Sequence, residues 1–327
     1  MYPQAFKTIT PVGLIQLFLL TFLLKFYLLT GQRVPYQNFS GSYAFQLLVD
    51  WLSGNMGFGA GAFNFLAIIC LLVQALVLNR IANQARLFTR NTYLPAMSYI
   101  VCSALIQGAD VFSDIMVANF ILISAFAGML TLNNAAAPRR HVFYTGLLLG
   151  MAGFVCPPAL LLFGLLVAAI AITRPFVLAE YVAALMGCLT PYYFLAAWLF
   201  LTDRIALFPR MFSFSLTYPR RLPLPEVWIG LGLFVLLVAL GSFRLRKGFL
   251  KMLIQVRKNW LVVNVYLIFS VLEIFIIKNG FFTNYLVLLP ATSLIAVFAF
   301  NHEKKKKISN FTYFIIIGCI LAIQYLL

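Results

Sequence analysis

The chain has 327 residues and a mass of 36.8 kDa; 63% of it is apolar, 10% is charged, and its mean hydropathy is +0.97. Soluble domains are about 45–50% apolar and about 25% charged, so this composition excludes an ordinary soluble enzyme and also excludes disorder. The 24 Lys and Arg against 8 Asp and Glu leave a formal charge of +16. These basic residues lie in short gaps between apolar runs, where orientation in a bilayer demands them, so no nucleic-acid partner is expected. The five cysteines, Cys70, Cys102, Cys156, Cys188 and Cys319, sit inside apolar segments without a CxxC or Cys/His cluster. Neither a disulfide framework nor a zinc site is indicated.

A helix needs roughly 20 residues to cross the hydrocarbon. Runs of that kind predict spans at 12–30, 63–79, 92–107, 116–132, 142–156, 158–173, 179–201, 227–243, 261–277, 281–300 and 310–326, eleven in all. The first run is long for a cleavable signal, carries Lys25 and lacks a small-x-small cleavage pattern, so it reads as a retained span. Between 142–156 and 158–173 stands Cys156-Pro157-Pro158. Tandem proline removes backbone donors and disfavours helix in the residue before it, which predicts a turn between two short helices.

Charge fixes the parity. With the N-terminus inside, the inner gaps hold Lys7, Arg80, Arg86, Arg90, Arg139, Arg140, Arg174, Arg244, Arg246, Lys247, Lys251, Arg257, Lys258 and Lys304 to Lys307. The outer gaps hold only Arg33, Arg204, Arg210, Arg220, Arg221 and Lys278. Positive charge favours the cytoplasmic side, so the expected fold is an all-α, polytopic transmembrane bundle of about eleven spans, N-in and C-out. It forms one integral domain over 1–327, with longer connections at 31–62 and 203–226 outside and 244–260 inside.

In the first outer loop Ser42, Gln46, Asp50 and Ser53 fall on one stripe at 3.6 residues per turn, flanked by aromatic and aliphatic residues. This predicts a short helix over 43–53 lying along the membrane plane. Asp50, the loop's one carboxylate, is a candidate catalytic base; a solvated polar stripe explains it equally in kind. Gly57-Phe58-Gly59-Ala60-Gly61 feeds straight into a span, so it reads as a flexible entry and not as a phosphate loop, which needs a preceding strand. Asp110 and Asp114 would share a face if their segment turns as a helix, and such a pair can hold a divalent cation or contact substrate. The plainer reading is that they mark a non-cytoplasmic gap. No other cofactor is indicated.

The outer segment 203–221 carries Arg204, Arg210, Arg220 and Arg221 on the face where orientation expects few positive charges. Arginine recognises phosphate bidentately, so lipid-phosphate binding is one reading; contact with anionic head groups, or pairing with Asp203 and Glu226, is the other. The segment 244–258, with Leu245, Phe249, Leu253 and Val256 interleaved among basic residues, reads as one amphipathic helix on the inner leaflet. Lys25 and Glu273 are ionisable groups within spans, about one and a half turns from an end, where snorkelling is inexpensive.

Arg90-Asn91-Thr92-Tyr93-Leu94-Pro95, Asn119-Phe120, the Gly146 to Gly153 stretch, Arg174-Pro175-Phe176 and Gly187-Cys188-Leu189-Thr190-Pro191-Tyr192-Tyr193-Phe194-Leu195 resemble an uncharacterised family of inner-membrane proteins from Bacteroidota. Its members are sometimes labelled beta-carotene monooxygenases. That label does not fit, since such an oxygenase holds iron with four histidines and this chain has His141 and His302 only. The chain also resembles, more distantly, the GT-C membrane glycosyltransferases, in a first outer loop with a carboxylate (Asp50), a basic inner loop (Arg80 to Arg90) and a proline-broken span pair (142–173). It departs from them in lacking a second carboxylate in that loop and a large C-terminal outer domain. The resemblance implies a polyprenyl-phosphate donor, Asp50 as general base, and Arg204, Arg210, Arg220 or Arg221 on the departing phosphate. The rival expectation is a non-enzymatic membrane subunit or scaffold of an envelope assembly, with membrane lipids and a membrane protein as partners.

Overall fold

The computed structural model describes residues 6–29, 43–106, 111–211, 225–274, 283–300 and 306–325, with side chains except at 209–211, 225–226, 283, 306–309 and 325. Among the described residues there are twelve α-helices and no strand: α1 (Pro11–Leu29), α2 (Tyr43–Met56), α3 (Ala60–Gln84), α4 (Leu94–Leu105), α5 (Asp114–Thr131), α6 (Pro138–Val155), α7 (Phe163–Thr173), α8 (Leu178–Leu201), α9 (Pro225–Phe249), α10 (Ile254–Ile274), α11 (Leu289–Phe300) and α12 (Lys306–Tyr325). Short stretches of 3-10 helix lead into α7 (Pro157–Leu162) and α11 (Thr283–Leu288), and another, Ile205–Met211, follows α8.

Starts and stops follow local chemistry. The Thr10 hydroxyl accepts from the Gly13 amide (3.3 Å) ahead of α1, and Ser113 accepts from the Met116 amide (3.3 Å) ahead of α5. Each satisfies one of the four amides a helix start leaves unpaired. Pro95 and Pro138 stand in the first turns of α4 and α6, where a missing amide costs nothing.

Glycines set the packing of α6 and α8, and with it the direction of the chain. A Cβ on Gly146 would collide with the Ala184 carbonyl, one on Gly150 with the Cys188 carbonyl, and one on Gly187 with the Phe143 carbonyl. Gly146 and Gly150 form a GxxxG seam, the device that lets helix backbones touch in lipid. Along it residue numbers rise together on both helices, so α6 and α8 run parallel and α7 must return between them. The chain therefore reverses at Pro157–Pro158, as the tandem proline predicts. The same holds further on: Gly241 packs on the Ile295 carbonyl and Arg244 reaches Phe298 and Ala299, so α9 and α11 are parallel and α10 runs back.

Hydrogen bonds tie the helix ends into two groups. At one, here called the basic end, the Tyr93 amide donates to Phe6 (2.7 Å), Asn259 to the Ala85 carbonyl (3.4 Å), Gln255 to Asn134 (2.9 Å), and Lys258 to the Thr173 carbonyl (3.0 Å). At the opposite end Lys25 donates to the Ser103 carbonyl (3.0 Å), Asn64 to Leu28 (3.2 Å) and Gln324 to Ala104 (3.3 Å). The helices α4 and α11 are buried along essentially their whole length, while α8 and α9 turn large apolar residues such as Leu185, Phe194, Trp198, Val235 and Leu236 outward. Among the described residues five helical stretches, those of α1, α3, α5 with the turn that follows it, α8 and α9, are long and apolar enough to cross a membrane, and four shorter apolar segments accompany them. An exposed apolar surface of this extent is the mark of a membrane protein.

Two expectations are corrected. The basic segment 244–258 is not one amphipathic helix: α9 continues to Phe249, the chain breaks, and α10 begins at Ile254. Its cations are drawn to the ends of neighbouring helices, as Arg244 and Lys258 show, where unpaired carbonyls and the negative pole of the helix dipole favour positive charge. Lys25 and Glu273 do not snorkel either. Both are fully buried, because packing of α1 and α10 against α4 and α5 closes the path that a lone helix would leave open.

Candidate functional site

A helix forms over 43–53 as the polar stripe predicts and runs three residues further, to Met56. Its inward side is pinned by Phe45 and Val49, with Phe45 against Phe112 (ring centroids 5.6 Å) and Phe112 stacked on Phe63 of α3 (5.7 Å). Gly57, at φ +63°, ends the helix in a conformation that suits glycine and sends the chain into α3. Asp50 and Gln46 are left on the exposed side. α2 packs against α6 and against the turn Ile205–Met211.

That turn carries the first of the expected arginines. Asp203 adopts φ +55°, tolerated by Asp because its short polar chain suits the left-handed region, and the Arg204 amide closes on the Leu199 carbonyl (2.8 Å). Arg204 itself is exposed. Arg210 lies in the turn with its side chain outside the described set, and Arg220 and Arg221 lie outside the described residues. The expected convergence of four arginines and Asp50 on one cavity thus falls mostly outside them; Asp50 and Arg204 share an end of the molecule. Asp114 is half-buried in the first turn of α5, where its carboxylate accepts from the Ile115 amide (2.9 Å). Its expected companion Asp110 lies outside the described residues. Among the described residues no three His, Cys, Asp or Glu side chains gather as metal ligands.

Tertiary packing assembles a second set of groups. Gln74 of α3 donates to the Met116 carbonyl (2.7 Å) and accepts from Tyr99 of α4 (2.7 Å). Asn119 of α5 donates to Gln74 (3.2 Å), to the Tyr99 hydroxyl (3.0 Å) and to the Leu286 carbonyl (3.3 Å). All three side chains are fully buried. On α10, Tyr266 lies edge-on to Phe126 (5.0 Å) and Glu273 follows two turns later. The Tyr266 hydroxyl, both Glu273 carboxylate oxygens and the Asn119 carbonyl oxygen are buried without a hydrogen-bond partner. Leaving such acceptors unpaired costs about 1–3 kcal/mol each, more for a charge. Glu273 stands within electrostatic reach of Tyr266 and of Cys156, and Asp114 is within reach of Cys156 as well. A buried ionisable group inside a membrane bundle marks a functional position by default. The sequence signal for this set was present, as polar residues within apolar runs, but spacing along one helix cannot show which helices face each other.

A cleft lined by Arg80 and Arg86 opens at the basic end, away from Asp50 and Arg204. No family model, curated protein or solved structure matches the chain.

Proposed function

We propose that the chain is a multi-pass protein of a bacterial inner membrane, with eleven spans, its basic end in the cytoplasm and a GT-C-like organisation. It transfers sugar from a polyprenyl-phosphate donor at the outer face. The observation that carries this reading is the packing of α2 on the turn Ile205–Met211, which brings the helix of Asp50 beside the segment of Arg204 and Arg210. The clustering of positive charge at one end supports the orientation.

In the proposed reaction Asp50 takes the proton of an acceptor hydroxyl, the freed oxygen attacks the anomeric carbon, and the bond from that carbon to the phosphate oxygen breaks with inversion. The lipid phosphate departs with the electron pair, stabilised by arginines of 204–221, since a departing phosphate is helped chiefly by positioned positive charge. The test is transfer of labelled sugar from a polyprenyl-phosphate donor in proteoliposomes. Asp50→Asn and Arg204→Ala should each lower the rate at least tenfold with expression unchanged. Full activity in both variants, or none in the parent chain, refutes the reading.

A non-enzymatic subunit is the second reading. It is favoured by the run Tyr193, Phe194, Trp198 and Phe200, exposed on α8 beside the same end. A stoichiometric membrane protein that co-purifies with the parent chain and is lost in Trp198→Ala selects it.

A further inference from the structure

At the basic end a cleft of about 600 Å3 separates the start of α1 from the end of α3. Arg80, Arg86 and Asn79 are among its polar lining residues, and Ile9, Leu14 and Leu76 among its apolar ones. The frame is rigid, because the Asn83 amide both donates to the Thr92 carbonyl (3.1 Å) and accepts from the Thr92 amide (3.2 Å), fastening the loop that follows α3.

Three details mark this place. Arg174 and Arg244 are committed to carbonyls, Arg174 to Leu132 and to an ion pair with Glu180, Arg244 to Phe298 and Ala299. Among the described residues the guanidinium groups of Arg80 and Arg86 have no hydrogen-bond or ion-pair partner. Next, Arg86 sits at φ +50°, where the Leu87 amide closes on the Ala82 carbonyl (3.1 Å) and the Arg86 amide on Asn83 (3.2 Å). This is the helix-ending position that glycine ordinarily fills, so a long cation is kept there against backbone preference. Strain of this sort collects where a side chain is used. Finally, Asn79 is 4% exposed and its Oδ1 has no partner. It is an acceptor that awaits a hydroxyl or amine donor from whatever occupies the cleft.

We infer that this cleft binds the phosphate of a hydroxyl-bearing phosphate ester, the chemistry of a phosphoglycerol group. Two guanidinium forks take the phosphate oxygens bidentately. The Asn79 carbonyl accepts from a free hydroxyl of the ester. Ile9, Leu14 and Leu76 receive the apolar start of an acyl chain where the ester is a lipid. The site is independent of the transfer proposed for the opposite end.

The experiment uses the full-length chain, stripped of lipid in an uncharged detergent and followed by native mass spectrometry and melting temperature. It is titrated separately with short-chain phosphatidylglycerol, phosphatidic acid, phosphatidylcholine and glycerol 3-phosphate. Phosphatidylglycerol should bind once per chain, at least tenfold more tightly than phosphatidylcholine. Arg80→Gln and Arg86→Gly should each weaken it at least tenfold, while Arg86→Gly melts no lower than the parent, which shows that folding is intact. Asn79→Ala should weaken phosphatidylglycerol and leave phosphatidic acid, which lacks the headgroup hydroxyl, unchanged. Saturable binding of glycerol 3-phosphate with the same arginine dependence identifies a soluble ester as the source and supports the phosphate assignment. Equal binding of phosphatidylcholine, indifference to both arginine substitutions, or no binding by any ester overturns it.

Discussion

The two ends of the bundle handle charge in opposite ways. At the basic end three cations are committed to neighbouring helices: Arg244 closes two carbonyls of α11, Lys258 one of α7, and Arg174 bridges Leu132 and Glu180. At the opposite end two ionisable groups are sealed inside, Lys25 against the Ser103 carbonyl and Glu273 with both oxygens unpaired. A cation at a helix C-terminus answers a dipole and several orphan carbonyls at once, so it stabilises. A buried carboxylate without a partner is a net cost, and it persists only where something other than stability holds it. The contrast teaches which charges the fold uses and which it tolerates.

Removing the charge of Arg244 and that of Glu273 should then have opposite signs. Arg244→Met should destabilise by about 2–3 kcal/mol, because two hydrogen bonds from a charged donor are lost and the end of α11 is left open; reversible unfolding in mixed micelles measures it, and a change below 0.5 kcal/mol would erase the distinction. Glu273→Leu should do the reverse and stabilise by about 1–2 kcal/mol, since an apolar side chain of similar size replaces an unpaired buried acid. A loss of stability there would reveal a partner for Glu273. Smaller effects sharpen the picture. Asn119→Ala, which removes three interhelical bonds averaging about 0.6 kcal/mol each in lipid, should cost about 1–2 kcal/mol and broaden the Tyr99 environment as read by tyrosine-selective NMR. Arg86→Gly should gain under about 1 kcal/mol by relieving the left-handed backbone.

Much of the helical layout was legible in the sequence for plain reasons. Apolar runs of bilayer length and Pro157-Pro158 between helices are local signals. The polar stripe through Gln46 and Asp50 likewise placed α2, because amphipathic spacing is a property of one helix. The segment 244–258 misled for the same reason. Its composition satisfies an amphipathic helix taken alone, but Arg244 and Lys258 answer to α11 and α7, which lie 54 and 85 residues away along the chain.

Composition and spacing by themselves determined that this chain is helical, membrane-embedded in character, strongly basic in its gaps and turned at Pro157-Pro158. Those properties depend on hydropathy and backbone sterics summed over neighbours in sequence. Only the tertiary structure decided that α6 lies parallel to α8 on bare glycine, that Gln74, Tyr99 and Asn119 meet, that Lys25 and Glu273 are buried, and that Arg80 and Arg86 remain uncommitted beside a cleft. Each of these is a relation between helices far apart in the chain, and it is set by which faces fit at van der Waals distance, a condition that no single helix carries in its own pattern.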